Sequence, residues 1–411
     1  MRALKFITFI ICLYIYLYNP ILQILGFGVI KLLLFVAFIY LLGKGFYPRF
    51  IGIFRTEIIF TLILVCYTLL IALIENPAGI TVPYTHLLWF LEGFIIPTFL
   101  ILFFREIFQR NSWEALIILV GFIASLVTLF LILNPAYNTY IRQNIIVDTL
   151  DTVSQYKWDF RGFSLAESSS YGYGVVQGLV LSICLFSVRK KLIYLLPIIF
   201  LLISIIFNAR IGLSVVAVAL LLLLVSGQIR FLNFCLFATI IYLSFWFLTK
   251  SSFFLENETS LNWGLGIFGD TKNFIQETND NSNYTALFGR MLFLPSHSMD
   301  LIFGNGKNVY LATDKSSDIG YIIQIFRGGI LYLSFMLFFL WKMFKRNYNY
   351  TSKKIIPVLF ILSLLIVNIK GNAFFVSSPF FRLITFFYVY SIFTSKNLIN
   401  SSSNLKNKHL I

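Results

Sequence analysis

Three arginines stand in apolar surroundings, where a cation needs a partner, and phosphate recognition is the chemistry that would use them. Arg210 lies in NARIGL between two apolar runs, Arg290 in the middle of LFGRMLFLP, and Arg327 in IFRGG inside a long apolar run. A guanidinium contacts two oxygens of one phosphate through parallel hydrogen bonds, a geometry that lysine lacks. The alternatives are lipid headgroups for Arg210 and Arg290, and pairing with a buried acid such as Glu92 for Arg327.

Four side chains near the ends of apolar runs are candidates for proton transfer. Glu167 lies in FSLAESSSYGY and Asp318 in DKSSDIGY, while His297 and Asp300 share the segment PSHSMD. A carboxylate or an imidazole can take a proton from an attacking hydroxyl. Each has a structural alternative, because Glu167 and Asp318 are placed to cap the helix that follows, and a lone loop histidine is commonly solvated.

Other charged and glycine patterns within the apolar runs are interpreted as structural. Lys31 and Arg382 are expected to extend their long side chains to the membrane surface. The glycine pairs in GFG at 26–28 and GYG at 172–174 are interpreted as close helix packing.

No motif for nucleotide or metal chemistry accompanies these residues. The sequence holds no Walker loop, no HExxH, no GxSxG and no DxD signature. This argues against an ATP-driven pump, a metalloprotease and a nucleotide-sugar transferase. The four cysteines lie inside apolar runs without CxxC or Cys/His spacing. We therefore expect no disulfide framework, no metal and no cofactor.

The composition indicates a membrane protein. Of 411 residues, 59% are hydrophobic and only 12% are charged, and the mean hydropathy is +0.85. Soluble domains have about 25% charged residues. The net charge of +15 comes from basic residues that lie between the apolar runs. Membrane topology explains this placement better than nucleic-acid binding, so lipids and not nucleic acids are the expected surroundings.

The apolar runs predict an all-α polytopic integral membrane protein with about 12 transmembrane helices, since about 17–25 apolar residues cross a bilayer. The predicted spans are 4–18, 21–42, 57–74, 86–104, 115–133, 171–188, 192–208, 211–226, 231–249, 319–341, 355–370 and 380–395. Only Asn19 and Pro20 separate the first pair. The first run is interpreted as a signal anchor, because the second follows it directly.

Alternation of the predicted helices places the Lys and Arg clusters on one side, which the positive-inside rule makes cytoplasmic. Both termini are then cytoplasmic. The predicted organisation is spans one to five in 1–133, a first extracytoplasmic loop in 134–170, spans six to nine in 171–249, a large extracytoplasmic loop in 250–318, spans ten to twelve in 319–395, and a cytoplasmic tail in 396–411. Outer-loop aromatic side chains such as Tyr310 could stack on sugars or form an interfacial belt.

Three segments resemble the O-antigen and capsule repeat-unit polymerases, relatives of the O-antigen ligases. NARIGL at 208–213 is similar to the family's Ser/Asn-x-Arg-x-Gly junction between two helices. The segment FGRMLFLPSHSMDLIFGNGKNVY at 288–310 is similar to its arginine followed by Gly-x-Gly. DIGYIIQIFRGGILYL at 318–333 resembles the opening of the family's helix after the large loop. The arrangement of spans, with the large loop before the tenth, resembles the family as well.

The resemblance implies a metal-independent glycosyltransferase that uses undecaprenyl-pyrophosphate-linked oligosaccharide outside the bacterial cytoplasmic (inner) membrane. By this resemblance, Arg210 and Arg290 would bind the donor pyrophosphate, and Arg327 is assigned to the same role. Asp318 would stand where the ligases carry a histidine proposed as base, with Glu167 as a second candidate. Arg161, in DFRGFSLAES, and His297 are assigned to the acceptor sugar. A chain-length regulator is the implied protein partner.

Three other functions stay open at the level of sequence. An O-antigen ligase would perform the same chemistry with lipid-A core as acceptor. A lipid-linked oligosaccharide flippase would place charges along a midplane cavity between two related halves. A non-catalytic scaffold would leave the arginines only a lipid-anchoring role. The single dominant external segment and the outer-face charges favour the enzyme over the flippase.

Overall fold

The computed structural model describes residues 2–75, 77–145, 164–166, 171–188, 192–208, 211–227, 239, 286–310, 316–376 and 378–395. Within these ranges the chain is mostly helical. The α-helices are α1 (Arg2–Tyr18), α2 (Ile30–Gly43), α3 (Tyr47–Ile53), α4 (Arg55–Ile74), α5 (Thr81–Phe90), α6 (Ile96–Phe103), α7 (Arg105–Arg110), α8 (Trp113–Leu133), α9 (Pro135–Asn144), α10 (Tyr171–Val188), α11 (Leu195–Asn208), α12 (Ile211–Val225), α13 (Ser298–Phe303), α14 (Gly320–Tyr350), α15 (Ile355–Val367) and α16 (Pro379–Ser395).

Short 3-10 and π segments extend several of these helices. Single 3-10 turns cover Pro77–Ile80, Leu192–Tyr194 and Asn368–Lys370. A π-helical stretch at Leu91–Ile95 joins α5 to α6, and a second forms Ala286–Arg290.

Four described helices are long and apolar enough to cross a membrane: Arg55–Ile74, Thr81–Phe103, Trp113–Leu133 and Gly320–Tyr350. The pair α2 and α3, bent by 108°, would make a fifth span. Shorter apolar helices lie at Gly172–Ser187, Leu195–Asn208, Ile211–Val225 and Ile355–Lys370. The protein is therefore a helical membrane-embedded protein, while the number of twelve spans stays a prediction. Of the predicted ninth span only Thr239 is described, and residues 250–285 of the large loop lie outside the described residues.

The second predicted span begins later than the sequence indicated. A two-stranded β-hairpin, β1 (Ile21–Leu22) and β2 (Phe27–Gly28), occupies its first part. Asn19 adopts a left-handed φ of 42° and Gly26 a φ of 65°, conformations that a continuing helix does not allow. The Asn19 Oδ1 atom accepts the backbone N–H of Ile30 at 3.0 Å, at the start of α2. The interpretation of GFG at 26–28 as helix packing is therefore wrong.

Two further spans differ in their bounds and in their course. The helical stretch predicted at 86–104 begins at Thr81. The span predicted at 319–341 continues to Tyr350, and it is broken at Gly329, where φ is 75° and ψ is −177°. A left-handed residue interrupts the helical hydrogen bonds, and glycine adopts it without a steric penalty.

The backbone contacts divide the chain into two compact units. The first comprises Met1–Asn19, Phe27–Leu116 and Arg290–Ile411, and the second comprises Pro20–Gly26 and Ile117–Gly289.

The first unit has an aromatic core around α16, of which nearly every side chain is buried. Trp89 meets Phe375 and Phe381 edge-on, with ring centroids 4.9 and 5.6 Å apart. Such contacts add about 0.5–1.5 kcal/mol per pair to simple area burial.

Buried charges in this unit are matched by opposite charges. Arg382 on α16 is 3% exposed and pairs with Glu92 at 3.4 Å. The expectation that Arg382 extends to the membrane surface is wrong, because the fold provides an internal carboxylate. Lys31, in contrast, is exposed and lies 5.9 Å from the centroid of the Phe27 ring.

The second unit packs α10 against its neighbours through small residues and one tyrosine. A Cβ atom at Gly178 would overlap the backbone of Gly212, and one at Gly212 would overlap that of Gly174. The interpretation of GYG at 172–174 as close helix packing is confirmed. The hydroxyl of Tyr173 lies 2.6 Å from Thr128 Oγ1 and accepts from Ser204 Oγ at 3.2 Å. Polar pairing of this kind holds helices together where water is excluded.

Candidate functional site

Four of the seven predicted site residues are described, and all four lie in the first unit. They are Arg290, His297, Asp318 and Arg327. Arg161, Glu167 and Arg210 lie outside the described residues. Their roles stay predictions.

The centre of the candidate site is the break in α14, where another part of the chain crosses the helix. A Cβ atom at Gly329 would overlap the carbonyl of Ile302, and one at Gly304 would lie 2.5 Å from the Cα atom of Gly328. Gly304 itself has a φ of 81°. Because no larger side chain fits at either position, α13 and its following turn can lie directly on the broken helix.

Hydrogen bonds fix this crossing. The Tyr67 hydroxyl on α4 shares its hydrogen between the carbonyl oxygens of Phe303, at 3.0 Å, and Gly328, at 2.9 Å. The Asn305 N–H donates to the carbonyl of Phe326 at 2.9 Å. A break in a helix leaves carbonyls without their helical donors. Here the crossing segment and Tyr67 provide replacement donors, so the break and the segment stabilise each other. We name this arrangement, residues 298–310 with 326–329, the loop–helix crossing.

Arg327 lies in the last turn before the break. Its Nη2 atom donates to Asn308 Oδ1 at 3.4 Å, and the residue is half-buried. Its charge also acts on two buried groups, His86 and Tyr332. The His86 Nε2 atom lies 2.6 Å from the Tyr332 hydroxyl. Glu92, which the sequence offered as a partner for Arg327, forms its ion pair with Arg382.

Ser317 links the residues before α13 to those after it. Its hydroxyl donates to the carbonyl of Met291 at 2.8 Å, and its N–H donates to the carbonyl of Val309 at 3.0 Å. Arg290 and Asp318 are each one residue from a bonded position. Their Cα atoms are therefore no more than roughly 15 Å apart, the sum of the intervening bonds and contacts. Two of the predicted site residues are thus brought into one neighbourhood.

Asp318 is half-buried and precedes α14 without capping it. The N-cap position is Ile319, and its N–H donates to Ser317 Oγ at 3.2 Å. The interpretation of Asp318 as the helix N-cap is therefore wrong. Burial, and secondarily the negative charge of Asp318, raises the pKa of Tyr310. The Asp318 carboxylate is therefore close enough to Tyr310 to act on its hydroxyl electrostatically.

The remaining described candidates lie at the surface of the crossing. Arg290 is exposed and ends the π-helical turn, and His297 is exposed at the start of α13. Asp300 accepts the Asn305 side-chain amide at 3.0 Å. Asp300 therefore stabilises the turn before Gly306, a structural role that differs from the predicted proton transfer.

The crossing and the residues that flank it carry two kinds of charged group, guanidinium and carboxylate. Arg290 and Arg327 carry guanidinium groups that suit phosphate oxygens. Asp318 carries a carboxylate, and nine residues of helix separate it from Arg327, roughly 14 Å along the axis. That separation is wide enough for a phosphate near Arg327 and a sugar hydroxyl near Asp318. Among the described residues no group of three or more His, Cys, Asp or Glu side chains could hold a metal ion.

Several residues of the crossing carry no local sequence signal. Tyr67 lies more than two hundred residues before the carbonyls that it contacts, and Ser317 and Asn308 are ordinary loop residues by type. The adjacent pair Gly328 and Gly329 was the one visible sign that the helix could break.

Comparison with protein-family models, with curated proteins and with solved structures finds no match for this chain. The resemblance of its three segments to the repeat-unit polymerases therefore stays a prediction.

Proposed function

We propose that the protein is an O-antigen or capsular polysaccharide polymerase. It would join undecaprenyl-pyrophosphate-linked oligosaccharide repeat units on the outer side of the bacterial cytoplasmic membrane. The reaction is a glycosyl transfer without a nucleotide sugar, and the substrate enters from the lipid phase. The membrane-embedded helical architecture supports such a substrate, because a polyprenyl chain must stay in the bilayer while its pyrophosphate reaches the protein.

The observation that carries this proposal is the loop–helix crossing. It brings Arg327 on the broken helix together with the segment that follows α13, and Ser317, which precedes Asp318, links that segment to the residue after Arg290. Charged groups within spanning segments are rare and mark substrate pathways in membrane proteins. Breaks in such helices are tolerated where the backbone is packed in protein or lines a cavity. The crossing has both features.

The chemical step places each group in a role. A hydroxyl at the non-reducing end of the incoming unit attacks the anomeric carbon of the growing chain. The bond from that carbon to the pyrophosphate oxygen breaks, and undecaprenyl pyrophosphate departs with the electron pair. Arg290 and Arg327 stabilise the negative charge that develops on the leaving group. By the same proposal Arg210 joins them.

Asp318 is the proposed base that takes the proton of the attacking hydroxyl. Its half-buried position supports this role, because a carboxylate partly shielded from water holds an acceptor hydroxyl more effectively than a fully solvated one. Glu167 is the second candidate for the base. Arg161 and His297 are proposed to contact acceptor sugars, and a chain-length regulator is the proposed protein partner.

Polysaccharide ladders from cells that lack the gene test the proposal. The polymerase predicts that deletion leaves a single repeat unit attached to the final acceptor. Loss of every unit, with lipid-linked units accumulating on the outer face, would identify a ligase. Accumulation on the cytoplasmic face would identify a flippase, and an unchanged ladder would contradict all three.

Complementation with variants tests the site. Arg327→Lys and Arg290→Lys keep the positive charge but lose the two-oxygen geometry, so each should restore only the single unit. Arg49→Lys is the matched control, because Arg49 is an exposed arginine on α3 outside the crossing. The control should restore the full ladder at equal protein abundance. A full ladder from both Arg327→Lys and Arg290→Lys would overturn the site assignment.

A further inference from the structure

A groove lies in the first unit at the end of the helices remote from the loop–helix crossing. It has a volume of about 560 Å³ and lies between α4 and α14. Its wall includes Ile59, Ile63, Phe335 and Phe338. Ile59 and Ile63 are each 47% exposed and Phe338 is 55% exposed, so these side chains offer an apolar surface that no described part of the chain covers.

Two lysines stand at the polar end of this groove. Lys342 and Lys345 line it and are both exposed. They are three residues apart on α14, a spacing that places side chains on the same helix face. The Lys342 ammonium lies 5.3 Å from the centroid of the Phe338 ring, over the apolar wall. Cationic and apolar surfaces therefore adjoin in one groove.

Arg346, which follows Lys345, is instead paired within the fold. Arg346 Nη1 pairs with Glu57 Oε1 at 2.5 Å, and Arg346 Nη2 donates to the carbonyl of Ile53 at 2.7 Å. The Tyr388 hydroxyl also donates to Glu57 Oε1. Because Arg346 offsets the carboxylate of Glu57, the two lysines give the groove a net positive end.

The position of the groove fits the level of lipid headgroups. Trp341 is 56% exposed and Tyr350 is 38% exposed, both on the basic end of α14. Exposed aromatic side chains beside lysines are typical of a membrane–water interface. Lys342 lies about 20 Å along the helix from the break at Gly329, at a rise of 1.5 Å per residue. The groove is therefore separate from the crossing.

We infer that this groove binds one anionic phospholipid of the surrounding membrane. The lipid phosphate lies between Lys342 and Lys345, and one acyl chain lies along Ile59, Ile63 and Phe338. Opposite charge at the mouth selects anionic over zwitterionic headgroups, and the apolar wall selects a lipid over a soluble phosphate. Basic pockets between membrane helices bind such headgroups by the same physics. The inference does not depend on the proposed polymerase activity.

Native mass spectrometry of the purified full-length protein tests this inference, with phosphatidylglycerol and phosphatidylcholine added in equal amounts. One retained phosphatidylglycerol per protein is expected, with about tenfold preference over phosphatidylcholine. The double variant Lys342→Gln/Lys345→Gln should reduce retention about tenfold. Lys44→Gln/Arg49→Gln removes the same charge from exposed positions that do not line the groove, and it should retain the lipid as the wild type does.

A second variant separates shape from charge. Ile63→Trp would place a larger side chain in the apolar part of the groove and keep both lysines. This variant should also retain less phosphatidylglycerol than the wild type. Equal retention of the two lipids, or equal retention by wild type and the double lysine variant, would show only non-specific annular lipid and overturn the inference. Displacement of phosphatidylglycerol by millimolar glycerol phosphate would also overturn it, because the occupant would then be a soluble phosphate.

Discussion

Two regions of the first unit treat arginine differently. In the helix bundle, Arg382 and Arg346 each meet a buried carboxylate, Glu92 or Glu57. At the loop–helix crossing, Arg327 donates to the neutral amide of Asn308. The two ion pairs lie within the helix bundle, whereas the bond from Arg327 links the broken helix to the segment that crosses it.

This difference separates a structural role from a binding role. A buried ion pair whose partner is removed leaves an uncompensated charge in an apolar interior, and the fold loses stability. Arg290, in contrast, is exposed, and replacement of an exposed side chain commonly changes stability by no more than about 0.5 kcal/mol, so its loss should appear in ligand binding. Substitution of Arg382 should therefore mainly reduce stability, whereas substitution of Arg290 or Arg327 should mainly reduce activity.

Arg382→Leu should give the largest loss of stability. It leaves the Glu92 carboxylate buried without its cation, at a cost of about 3–5 kcal/mol. Thermal unfolding of the detergent-solubilised protein measures the effect. The double variant Glu92→Leu/Arg382→Leu should recover most of the stability, since neither charge is then buried. A single variant as stable as the wild type would show that this pair is not structural.

Gly329→Ala should destabilise the break by about 1–3 kcal/mol, because alanine at a left-handed φ is strained. The added Cβ would also overlap the carbonyl of Ile302. Gly52→Ala on α3 is the matched control, since a Cβ there meets nothing within 4 Å. The control should be neutral or slightly stabilising. Equal unfolding midpoints for the two variants would contradict the close approach at the crossing.

Tyr67→Phe should cost about 1 kcal/mol, the net contribution of a hydrogen bond. It removes the donor that the carbonyls of Phe303 and Gly328 share. Hydrogen exchange at residues 303–310 should become faster as the crossing loosens. Tyr84→Phe is the control, because it removes a hydroxyl from a side chain that is 53% exposed. In this variant, exchange at residues 303–310 should be unchanged. Unchanged exchange in Tyr67→Phe would show that the Tyr67 hydroxyl does not stabilise the loop–helix crossing.

Arg327→Lys should lower the free energy of unfolding by about 1 kcal/mol, because it changes a half-buried hydrogen bond, and Arg290→Lys, at an exposed position, by no more than about 0.5 kcal/mol. Thermal unfolding checks these values in the same samples that are assayed for polymer. Under the proposed function, both variants fold normally and still lose the polysaccharide ladder. A large loss of stability in either variant would assign that arginine to the structural class of Arg382.

Asp318→Asn should have the smallest effect on the fold and a defined effect on Tyr310. Burial and the charge of Asp318 both raise the pKa of Tyr310, burial more strongly. Removing the charge should therefore lower this pKa, while burial keeps it above the ordinary value of a tyrosine. Carbon-13 NMR titration of labelled tyrosine, with Tyr310→Phe identifying the signal, measures the change. An unchanged pKa of Tyr310 in Asp318→Asn would show that the Asp318 carboxylate does not act on the Tyr310 hydroxyl.

The raised pKa of Tyr310 also makes the stability of the fold depend on pH. Because the folded state holds the Tyr310 proton more tightly than the unfolded state, its contribution is fully present below the unfolded pKa, which is about 10. The contribution is lost as pH rises through the folded pKa. In Asp318→Asn the folded-state pKa of Tyr310 should be lower, so the loss of this stability should be complete at a lower pH than in the wild type.

Local pattern was sufficient to predict most helices of the described chain. The long apolar runs became α4, α8 and α14, and the small residues around Gly174 predicted close packing in the second unit. These features depend on neighbouring residues alone, so periodicity and composition reveal them. The arginine candidates are visible as charges in apolar surroundings, and the aspartate candidates as charges near the ends of apolar runs.

Long-range contacts decided what the sequence could not predict. Arg382 was expected at the membrane surface because its long side chain could reach there from near a helix end, whereas its partner Glu92 lies 290 residues away in sequence. The hairpin after Asn19 depends on a left-handed backbone that apolar composition hides. The crossing likewise requires Tyr67, Gly304 and Gly329 to come together. The glycine pair at 328 and 329 indicates a possible break, but nothing in the sequence shows which segments meet there.

The most direct test of the central claim is repeat-unit polymerisation by the purified protein in liposomes. Lipid-linked single repeat units would be supplied with EDTA present, and the products would be sized by mass spectrometry. Wild-type protein and Arg49→Lys should yield lipid-linked chains of two or more units together with released undecaprenyl pyrophosphate. Arg327→Lys, folded and incorporated equally, should yield neither. Absence of any longer chain with the wild type, or undiminished chains with Arg327→Lys, would contradict the account.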